Sequence, residues 1–508
     1  VANEGVYNFL DKVVTELQAM YREAGAPLVG IQTGGDEVPR GAWLGSPACQ
    51  ALIDQGVVAS KDDLRDYYTE RLKKILDEKG LKFYGWMEIA TKKGKVNPKF
   101  QDAGFVAYCW DTVGGWGGEE MPYHLANAGV DVILCNAPNL YFDFAYNKHA
   151  EEPGLYWGGW VNERDSYNLL PYDMYRSVRI ALNGTPMDWD KAIKKANGTP
   201  KERLTSEGKK HILGIQGELW SETIKGEQMM QYYLFPKIVG LAERAWDAVP
   251  DWSMISGKQT REKAYNEALG AYLTKIARKE MPYWEKQGIN FRLASPGIEI
   301  KDGMLYISNS VPGTSVHYTT DGSIPTVNSA KYTGSIQISC RNGEKNVLCS
   351  EENIKKMDIA GSGYDYVPED SEVDKCTIIR AAAIAPDGTS SSVITNSYFV
   401  GNDMANKYKG ATVASLVMDP NDLLDYNTGI LALGAYYDEW RKTAEAKQII
   451  QSKAYWNYEG NYTQSGKGWE RQATMDYIDP STGNVEFSAP MGVRLHGGAS
   501  RMYGQKSF

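Results

Sequence analysis

The sequence has no apolar run approaching the roughly 18 residues that a membrane-spanning helix needs, and no Lys/Arg-rich run or basic patch. Its 55 basic and 64 acidic residues give a net charge of −9. Nucleic acids and anionic membranes attract basic surfaces, so both are poor candidates as partners. The six cysteines form no C-x-x-C pair and have no histidine at ligand spacing. A zinc site is therefore disfavoured, and no metal is expected.

The chain is long and rich in aromatic residues. Its 508 residues are enough for two to four domains if a domain takes roughly 100–200 residues. The 14 tryptophans and 33 tyrosines supply many flat amphipathic faces of the kind that stack on sugar rings. For any single aromatic residue, a place in the core is the better expectation.

The first half of the chain alternates helical and strand-like patterns. Residues 4–24 have Phe9, Val13, Leu17 and Met20 at helical spacing, and Gly25 follows where a helix would end. Near-continuous apolar runs, typical of buried parallel strands, occur in "PLVGIQT" (27–33), "LKFYGWMEI" (81–89), "GFVAYCW" (104–110), "VDVILCNA" (130–137) and "HILGIQGELW" (211–220). The pattern predicts five strand-helix units in an α/β fold.

Two further helices complete these units. Ser60 is placed to cap a helix whose buried stripe is Leu64, Tyr68, Leu72 and Ile75. Residues 227–246 have a helical pattern throughout. A (β/α)₈ barrel needs eight units and an open doubly wound sheet would also fit five, so the pattern leaves both open.

The sequence pattern changes after about residue 288. Short alternating strands with Asp-Gly turns at 321–322 and 387–388 predict a small β-sandwich over residues 289–400. A polar insertion, residues 341–375, interrupts it. A third, α+β segment covers 401–508 and is expected to be truncated.

An adjacent Asp36-Glu37 pair follows the first apolar run. It comes directly after Gly34 and Gly35, which allow close approach by backbone or ligand. In a parallel barrel the active site lies at the carboxyl ends of the strands, where this pair falls. Neighbouring residues at a strand end point in diverging directions, so the two carboxyl groups can address two parts of one substrate.

Several motifs resemble glycoside hydrolase family 20, the β-N-acetylhexosaminidases. They are "TGGDEV", "GWMEIA", "YCW", "NLYFDFAY", "GELWSE" and "AERAW", in that order over roughly residues 1–250. The resemblance implies a catalytic (β/α)₈ TIM barrel over residues 1–288 that lacks its first three strand-helix units. It also implies that residues 289–400 are the β-sandwich often attached to these enzymes.

The family's chemistry implies roles for three residues. The substrate's own 2-acetamido oxygen attacks the anomeric carbon, so the protein supplies only one proton donor. By resemblance that donor is Glu37, whose pKa is expected to rise through burial and its ionised neighbour. Asp36 would accept the acetamido N–H and stabilise the developing positive charge. Tyr141 would donate its hydroxyl to the acetamido oxygen.

Five further residues would bind the sugar. The resemblance assigns Trp86, Trp110 and Trp220 to an aromatic cage around the N-acetyl methyl group and the pyranose face. It assigns Asp143 and Glu222 to the sugar hydroxyls at the non-reducing end. Trp116 is an alternative to Trp110 in the cage. Glu88, also at a strand end, has no role assigned.

These assignments lead to an exo-β-N-acetylhexosaminidase that releases terminal GlcNAc or GalNAc from glycans or chito-oligosaccharides by substrate-assisted retaining catalysis, without a cofactor. An extracellular, periplasmic or cell-surface location is expected from the sugar-directed, multidomain layout. Five strands cannot close a barrel, so the 508-residue fragment alone is expected to be inactive and aggregation-prone. The alternatives are a non-catalytic glycan-binding or adhesion protein and a two-carboxylate glycosidase with a protein nucleophile.

The last hundred residues resemble the start of a CotH-type, kinase-like domain through "VRLHGGASRMYGQKSF". In that reading Arg501 and Lys506 would contact a nucleotide phosphate. A tight hairpin turn explains the Gly-Gly-Ala-Ser stretch equally well. No phosphotransfer is expected from this segment, and adhesion or carbohydrate contact is an equal alternative.

Overall fold

The computed structural model describes residues 1–39, 41–101, 104–147, 152–182, 186–309, 311–359, 371–401, 403–409, 411–481, 485–503 and 506–508. The chain divides into two compact units. The first contains Val1–Asn147, Pro153–Tyr272 and Trp284–Phe291, and the second contains Leu273–Tyr283 and Arg292–Phe508. No helix within these described ranges is long and apolar enough to span a bilayer.

The first unit is an α/β structure. Its strands are β1 (Gly30–Gln32), β2 (Lys82–Trp86), β3 (Thr91–Lys92), β4 (Lys95–Val96), β5 (Phe105–Cys109), β6 (Asp131–Leu134) and β7 (Ile212–Ile215). Its helices are α1 (Glu4–Glu23), α2 (Pro47–Asp54), α3 (Leu64–Glu78), α4 (Met121–Asn127), α5 (Ala137–Leu140), α6 (Glu163–Tyr167), α7 (Trp189–Ala192), α8 (Glu227–Leu234) and α9 (Lys237–Trp246). Helices α10 (Lys258–Lys275) and α11 (Met281–Lys286) each cross a boundary between the units.

A parallel five-stranded sheet in the order β1-β2-β5-β6-β7 forms the centre of this unit. All five strands lie within the apolar runs that predict them. Strand β5 is buried on both faces, through Val106 on one and Phe105 and Ala107 on the other, whereas the buried residues of β6, Val132 and Leu134, lie on one face. The sheet core also takes in Leu72 of α3.

The helix predicted over residues 4–24 is confirmed, although its buried face differs from its apolar positions, and two other helical predictions are wrong in detail. The pattern over 227–246 is two helices, because Pro236 lacks the N–H that would continue the first one. In α1 the predicted apolar positions Phe9 and Met20 are exposed, and the buried residues are Tyr7 and Val14.

The start of the next helix also differs from its prediction. A 3₁₀ turn, Lys61–Asp63, precedes α3, and the Ser60 hydroxyl donates to the Asp63 carboxylate instead of accepting from the backbone. Leu64 and Leu72 of the expected stripe are buried, but Leu76 is buried in place of Ile75. The stripe is therefore shifted by one residue at its end.

The second unit is mainly β structure. Its strands are β8 (Gly297–Lys301), β9 (Met304–Ser308), β10 (Ser315–Thr319), β11 (Ala330–Lys331), β12 (Ile336–Gln337), β13 (Arg341–Lys345), β14 (Glu372–Lys375), β15 (Thr377–Ile384), β16 (Ile394–Tyr398), β17 (Val413–Met418), β18 (Arg471–Ile478) and β19 (Val485–Val493). Its helices are α12 (Glu351–Met357), α13 (Met404–Lys407), α14 (Pro420–Leu424), α15 (Gly434–Trp440) and α16 (Ala444–Gln451).

Sheets β11-β10-β15-β16 and β12-β9-β8 enclose one core, to which Leu305 and Ile307 contribute from β9, Val316 from β10 and Ile379 from β15. This is the arrangement of a small sandwich. The polar insertion contributes the hairpin β13-β14 and helix α12. Residues 401–508 belong to the same compact unit and carry the sheet β17-β18-β19. The boundaries at 288 and 400 stay predictions.

Candidate functional site

The five strands of the central sheet are parallel, so their carboxyl ends lie along one edge. The eight residues predicted for the site all lie at or shortly after these ends. Asp36 and Glu37 follow β1, Trp86 ends β2, Trp110 follows β5, Tyr141 and Asp143 follow β6, and Trp220 and Glu222 follow β7. The topology alone therefore brings them to one edge of the sheet.

The turn after β1 carries the carboxylate pair. Gly34, Gly35 and Glu37 all have left-handed backbone conformations, with φ of 75°, 96° and 47°. A Cβ on Gly35 would lie 2.5 Å from the Ile89 side chain, so only glycine fits there. Asp36 is half-buried and Glu37 is exposed. The burial expected to raise the pKa of Glu37 is therefore not observed.

Glu88, which had no predicted role, lies beside this turn. Its Oε1 accepts a hydrogen bond from the Trp110 indole N–H at 2.8 Å, and its Oε2 is buried with no partner among the described residues. Burial raises the pKa of Glu88, and the charges of Asp36 and Asp111 raise it further. Glu88 thus links the carboxylate pair to one of the expected cage tryptophans.

Aromatic rings line the other part of the edge. The ring centroids of Trp86 and Trp220 are 6.0 Å apart, and those of Trp220 and Tyr141 are 6.3 Å apart. Trp86 is buried, whereas Trp220 is 39% exposed and so keeps a face available to a ligand. Tyr141 is buried, and this burial raises the pKa of its phenol. Its hydroxyl is therefore neutral and can donate a hydrogen bond at neutral pH.

A further tryptophan, Trp157, joins this cluster. Its ring lies edge-on to Tyr141 at 5.6 Å and to Trp110 at 5.9 Å, and it stacks on Trp116 at 5.5 Å. Trp116 is 51% exposed. Trp110 and Trp116 therefore both belong to the cluster, through contacts with Trp157 on either side.

The turn after α5 carries a buried carboxylate. Asp143 is 1% exposed, and neither of its oxygens has a hydrogen-bond partner of normal geometry among the described residues. Burial raises the pKa of Asp143 to about 6; nearby backbone N–H groups and the Lys237 charge lower it, and the exposed Glu222 raises it. A buried acceptor without a donor is suited to receiving hydrogen bonds from a ligand.

Lys237 holds this turn in place. It is fully buried, and its ammonium group donates to the carbonyl oxygens of Phe142 at 2.8 Å and Phe144 at 2.6 Å, on either side of Asp143. The same Nζ lies 3.8 Å from the ring centroid of Tyr146. The lysine therefore fixes the backbone on both sides of the carboxylate and supplies a compensating charge.

Residues 1–249 match the family model described as glycosyl hydrolase family 20, catalytic domain, and residues 305–398 match the one described as Fn3 associated. Residues 1–249 belong to glycosyl hydrolase family 20.

Two curated relatives and a solved structure illustrate the similarity to family 20 proteins. The N,N'-diacetylchitobiase of Vibrio harveyi is 29% identical over 63% of this chain and 39% of its own length. The β-hexosaminidase of Vibrio vulnificus is 29% identical over 63% of this chain and 38% of its own length. The chain thus spans about two fifths of these relatives. The GH20 exo-β-N-acetylglucosaminidase of Vibrio harveyi, solved with N-acetylglucosamine, is 28% identical, covers 57% of this chain and 36% of its own, and has a TM-score of 0.41.

Sequence reasoning missed two features of this family 20 domain for an identifiable reason. Trp157 lies in the loop between α5 and α6, not at a strand end, and the signal for it is the aromatic and glycine-rich stretch "YWGGW" (156–160). Lys237 begins a helix far along the chain, and no local pattern marks it as a partner of residues 142–144. Within the described part of the chain, no group of three or more His, Cys, Asp or Glu side chains is arranged to hold a metal ion.

Proposed function

We propose that this protein is an exo-acting β-N-acetylhexosaminidase that removes terminal non-reducing GlcNAc or GalNAc by substrate-assisted, retaining catalysis. One observation carries the proposal: the Asp36-Glu37 pair shares an edge of the sheet with the aromatic cluster and with the unpartnered Asp143 carboxylate. A hydrolase for an N-acetylated sugar needs a proton donor, an amide partner and an apolar face to bind the ring.

In this proposal Glu37 gives its proton to the glycosidic oxygen, and the substrate's acetamido oxygen attacks the anomeric carbon. Asp36 accepts the acetamido N–H and stabilises the positive charge that develops on the cyclised intermediate. Tyr141 donates its hydroxyl to the acetamido oxygen. Since Glu37 is exposed without ligand, the substrate itself would cover it and disfavour its charged form.

The sugar is proposed to lie between the tryptophans Trp86, Trp220 and Trp110, with Trp157 closing the cluster. Asp143 and Glu222 would accept hydrogen bonds from hydroxyl groups at the non-reducing end. Because the Asp143 carboxylate is buried and has no hydrogen-bond partner of normal geometry among the described residues, a sugar hydroxyl that donates to it offsets part of the free-energy cost of that burial. This favours recognition of a chain end over binding along a polymer.

We further propose that the five parallel strands are five of the eight in a (β/α)₈ barrel, with hydrolysis requiring all eight units. The share of the curated relatives that the chain spans supports this proposal. Chito-oligosaccharides and other N-acetylhexosamine-containing glycans are the proposed substrates, and an extracellular, periplasmic or cell-surface site the proposed location. The CotH resemblance of residues 401–508 stays a prediction.

A second candidate is a glycan-binding protein that keeps the aromatic cluster without hydrolysis. The exposure of Glu37 favours it, because no protein surface shields this carboxyl group from water, as a site for proton transfer to a glycosidic oxygen requires. Such a protein would bind N-acetylglucosamine and leave 4-nitrophenyl N-acetyl-β-glucosaminide intact.

Inhibitors of the full-length protein, expressed from its gene, distinguish these functions. We expect hydrolysis of the nitrophenyl substrate, competitive inhibition by a thiazoline mimic of the cyclised intermediate, and no covalent adduct with 2-fluoro sugars. A trapped glycosyl-enzyme would contradict the proposal in favour of a protein nucleophile. Sugar binding without hydrolysis would support the glycan-binding alternative. The 508-residue chain alone is expected to show no hydrolysis.

A further inference from the structure

A groove of about 450 Å³ begins next to the proposed proton donor. One wall is the segment that continues from Glu37, including Val38 and Trp43. The other wall includes Lys61, Arg65 and Lys93. Pockets of this size, with an aromatic side chain and a few polar groups, are suited to a small ligand such as one or two sugar residues. We call it the basic groove.

Both walls extend the proposed active site. The segment with Trp43 follows β1, and Lys93 lies in the β3-β4 hairpin that follows β2 and Glu88. The Thr91 N–H donates to the Glu88 carbonyl oxygen at 3.4 Å, which ties the hairpin to the residue beside Trp110. The groove is therefore built from the loops after two neighbouring parallel strands and from the start of α3 between them, at the edge that carries the carboxylate pair.

The charges of the groove are only partly compensated. Lys92, also in its lining, pairs with Asp63 at 2.8 Å and Asp66 at 2.9 Å. Lys93 is 79% exposed and lies 3.7 Å from Asp62, a loose pair. These two lysines and their three carboxylate partners therefore carry a net charge of −1.

Arg65 and Lys61 differ from them. The Arg65 guanidinium donates to the Thr91 backbone oxygen at 2.8 Å, and neither it nor Lys61 forms an ion pair with a carboxylate in the described ranges of the chain. Asp62 also lines the groove, and the three carboxylates of Asp62, Asp63 and Asp66 offset three of the four cations Lys61, Arg65, Lys92 and Lys93, which leaves a net charge of +1. This charge attracts an anionic group, and Arg65 suits a carboxylate or sulfate in particular because of its planar fork.

We propose that the basic groove is the leaving-group subsite and takes an anionic sugar, one that bears a carboxylate or sulfate, linked to the terminal N-acetylhexosamine. This inference rests on the proposed function, since Glu37 would protonate the oxygen that joins the two sugars. The leaving sugar is bonded to that oxygen, so it must lie beside Glu37, where Val38 opens the groove. Trp43 would contact the sugar ring, and Lys61 and Arg65 its anionic group.

The test uses the full-length protein and disaccharides of one linkage, with β-linked N-acetylglucosamine on glucose, glucuronic acid or glucose 6-sulfate. We expect kcat/KM for one or both anionic substrates to exceed that for the neutral one by about threefold to tenfold at low salt, and 0.5 M NaCl to remove most of this preference. Preference for glucuronic acid alone or for the sulfate alone supports the subsite and identifies the anion. Equal values for all three, with the nitrophenyl substrate still cleaved, overturn this inference only. Absence of hydrolysis of every substrate overturns the proposed function as well.

Variants locate the effect. In K61Q the ratio of anionic to neutral kcat/KM is expected to fall toward one, and R65Q should lower it further. The matched control is K12Q, an exposed lysine that pairs with Glu16 on α1, which should keep the wild-type ratio. Arg65 also braces the hairpin, so K61Q, at an exposed position, carries the test if R65Q does not fold. An unchanged ratio in K61Q, with the salt effect intact, places the anion elsewhere and contradicts the proposal.

Discussion

Glu37 lies on an exposed, left-handed turn after β1, whereas Asp143 is buried in the turn after α5. Glycines shape the first turn, and a Gln32 side chain accepts from the Gly34 N–H at 2.6 Å. The second is fixed by Lys237, which binds the backbone on both sides of the carboxylate. The part of the site that would bind the sugar hydroxyls is thus buried and held by hydrogen bonds. The part that would donate the proton remains open to water.

The largest effect is expected for Glu37, the exposed member of this pair of carboxyl groups. Glu37→Gln removes the proposed proton and should lower kcat for 4-nitrophenyl N-acetyl-β-glucosaminide by about 10²–10⁴-fold. A nitrophenolate leaves without much acid assistance, so a substrate with a sugar leaving group should show the larger loss. Glu16→Gln, a remote exposed glutamate on α1, is the control and should keep wild-type rates. Wild-type rates in Glu37→Gln would remove the residue from the mechanism.

At the buried turn that carries Asp143, Lys237→Met should destabilise the fold by about 2–5 kcal/mol. It removes two hydrogen bonds to buried carbonyl groups and a charge that compensates Asp143. Urea denaturation measures the loss. The control is Lys225→Met, which removes an exposed lysine from the loop before α8 and should change stability by less than about 0.5 kcal/mol. If the two variants have the same midpoint of urea denaturation, Lys237 does not stabilise the turn.

The Asp143 carboxylate is expected to make the free energy of unfolding depend on pH. Its folded pKa is raised to about 6 from 3.8, so the folded state holds the proton more tightly than the unfolded state. The free energy of unfolding should therefore fall as pH rises from about 4 to about 6 and stay level above that. Asp143→Asn removes this cost and should be more stable than the wild type by up to about 3 kcal/mol at pH 7, with little difference below pH 4.

The same variant should bind N-acetylglucosamine more weakly, because the amide offers a poorer acceptor than the carboxylate. Calorimetry of the sugar and thermal melts across pH 4–8 separate the two effects. A variant that loses stability at pH 7 would show that the carboxylate is satisfied in the folded protein.

The smallest expected effect concerns the glycines of the first turn. Gly35→Ala should cost about 1–3 kcal/mol, since φ is 96° and the new methyl would meet Ile89 at 2.5 Å. Gly34→Ala has a similar φ of 75° but no atom within 4 Å of the new methyl, so it should cost only about 1 kcal/mol. Equal losses in thermal melts would mean that the Ile89 contact relaxes freely.

The sequence patterns were sufficient for the strands and for the edge on which the site lies. Buried parallel strands give apolar runs that are local in sequence, and the carboxyl ends of such strands must meet at one edge. The site residues at these ends, such as Trp86 and Trp220, were therefore within reach of sequence reasoning. Their roles depend on the family resemblance.

The burial of individual site residues and their long-range contacts could not be predicted from the sequence. Glu37 follows an apolar run yet is exposed, and β1, the strand within that run, is itself only half-buried. Lys237 contacts a turn more than 90 residues earlier in the chain. Trp157 reaches the cluster from a loop with no periodicity. Each depends on tertiary packing, which a local pattern does not encode.

The proposed attack by the acetamido group is tested most directly with two 4-nitrophenyl glycosides that differ only at carbon 2. The full-length protein should cleave the N-acetylated one and cleave its plain 2-hydroxyl counterpart at least about 10³-fold more slowly, because the intramolecular nucleophile is absent. Comparable kcat/KM values for the two would contradict the mechanism proposed for Asp36, Glu37 and Tyr141.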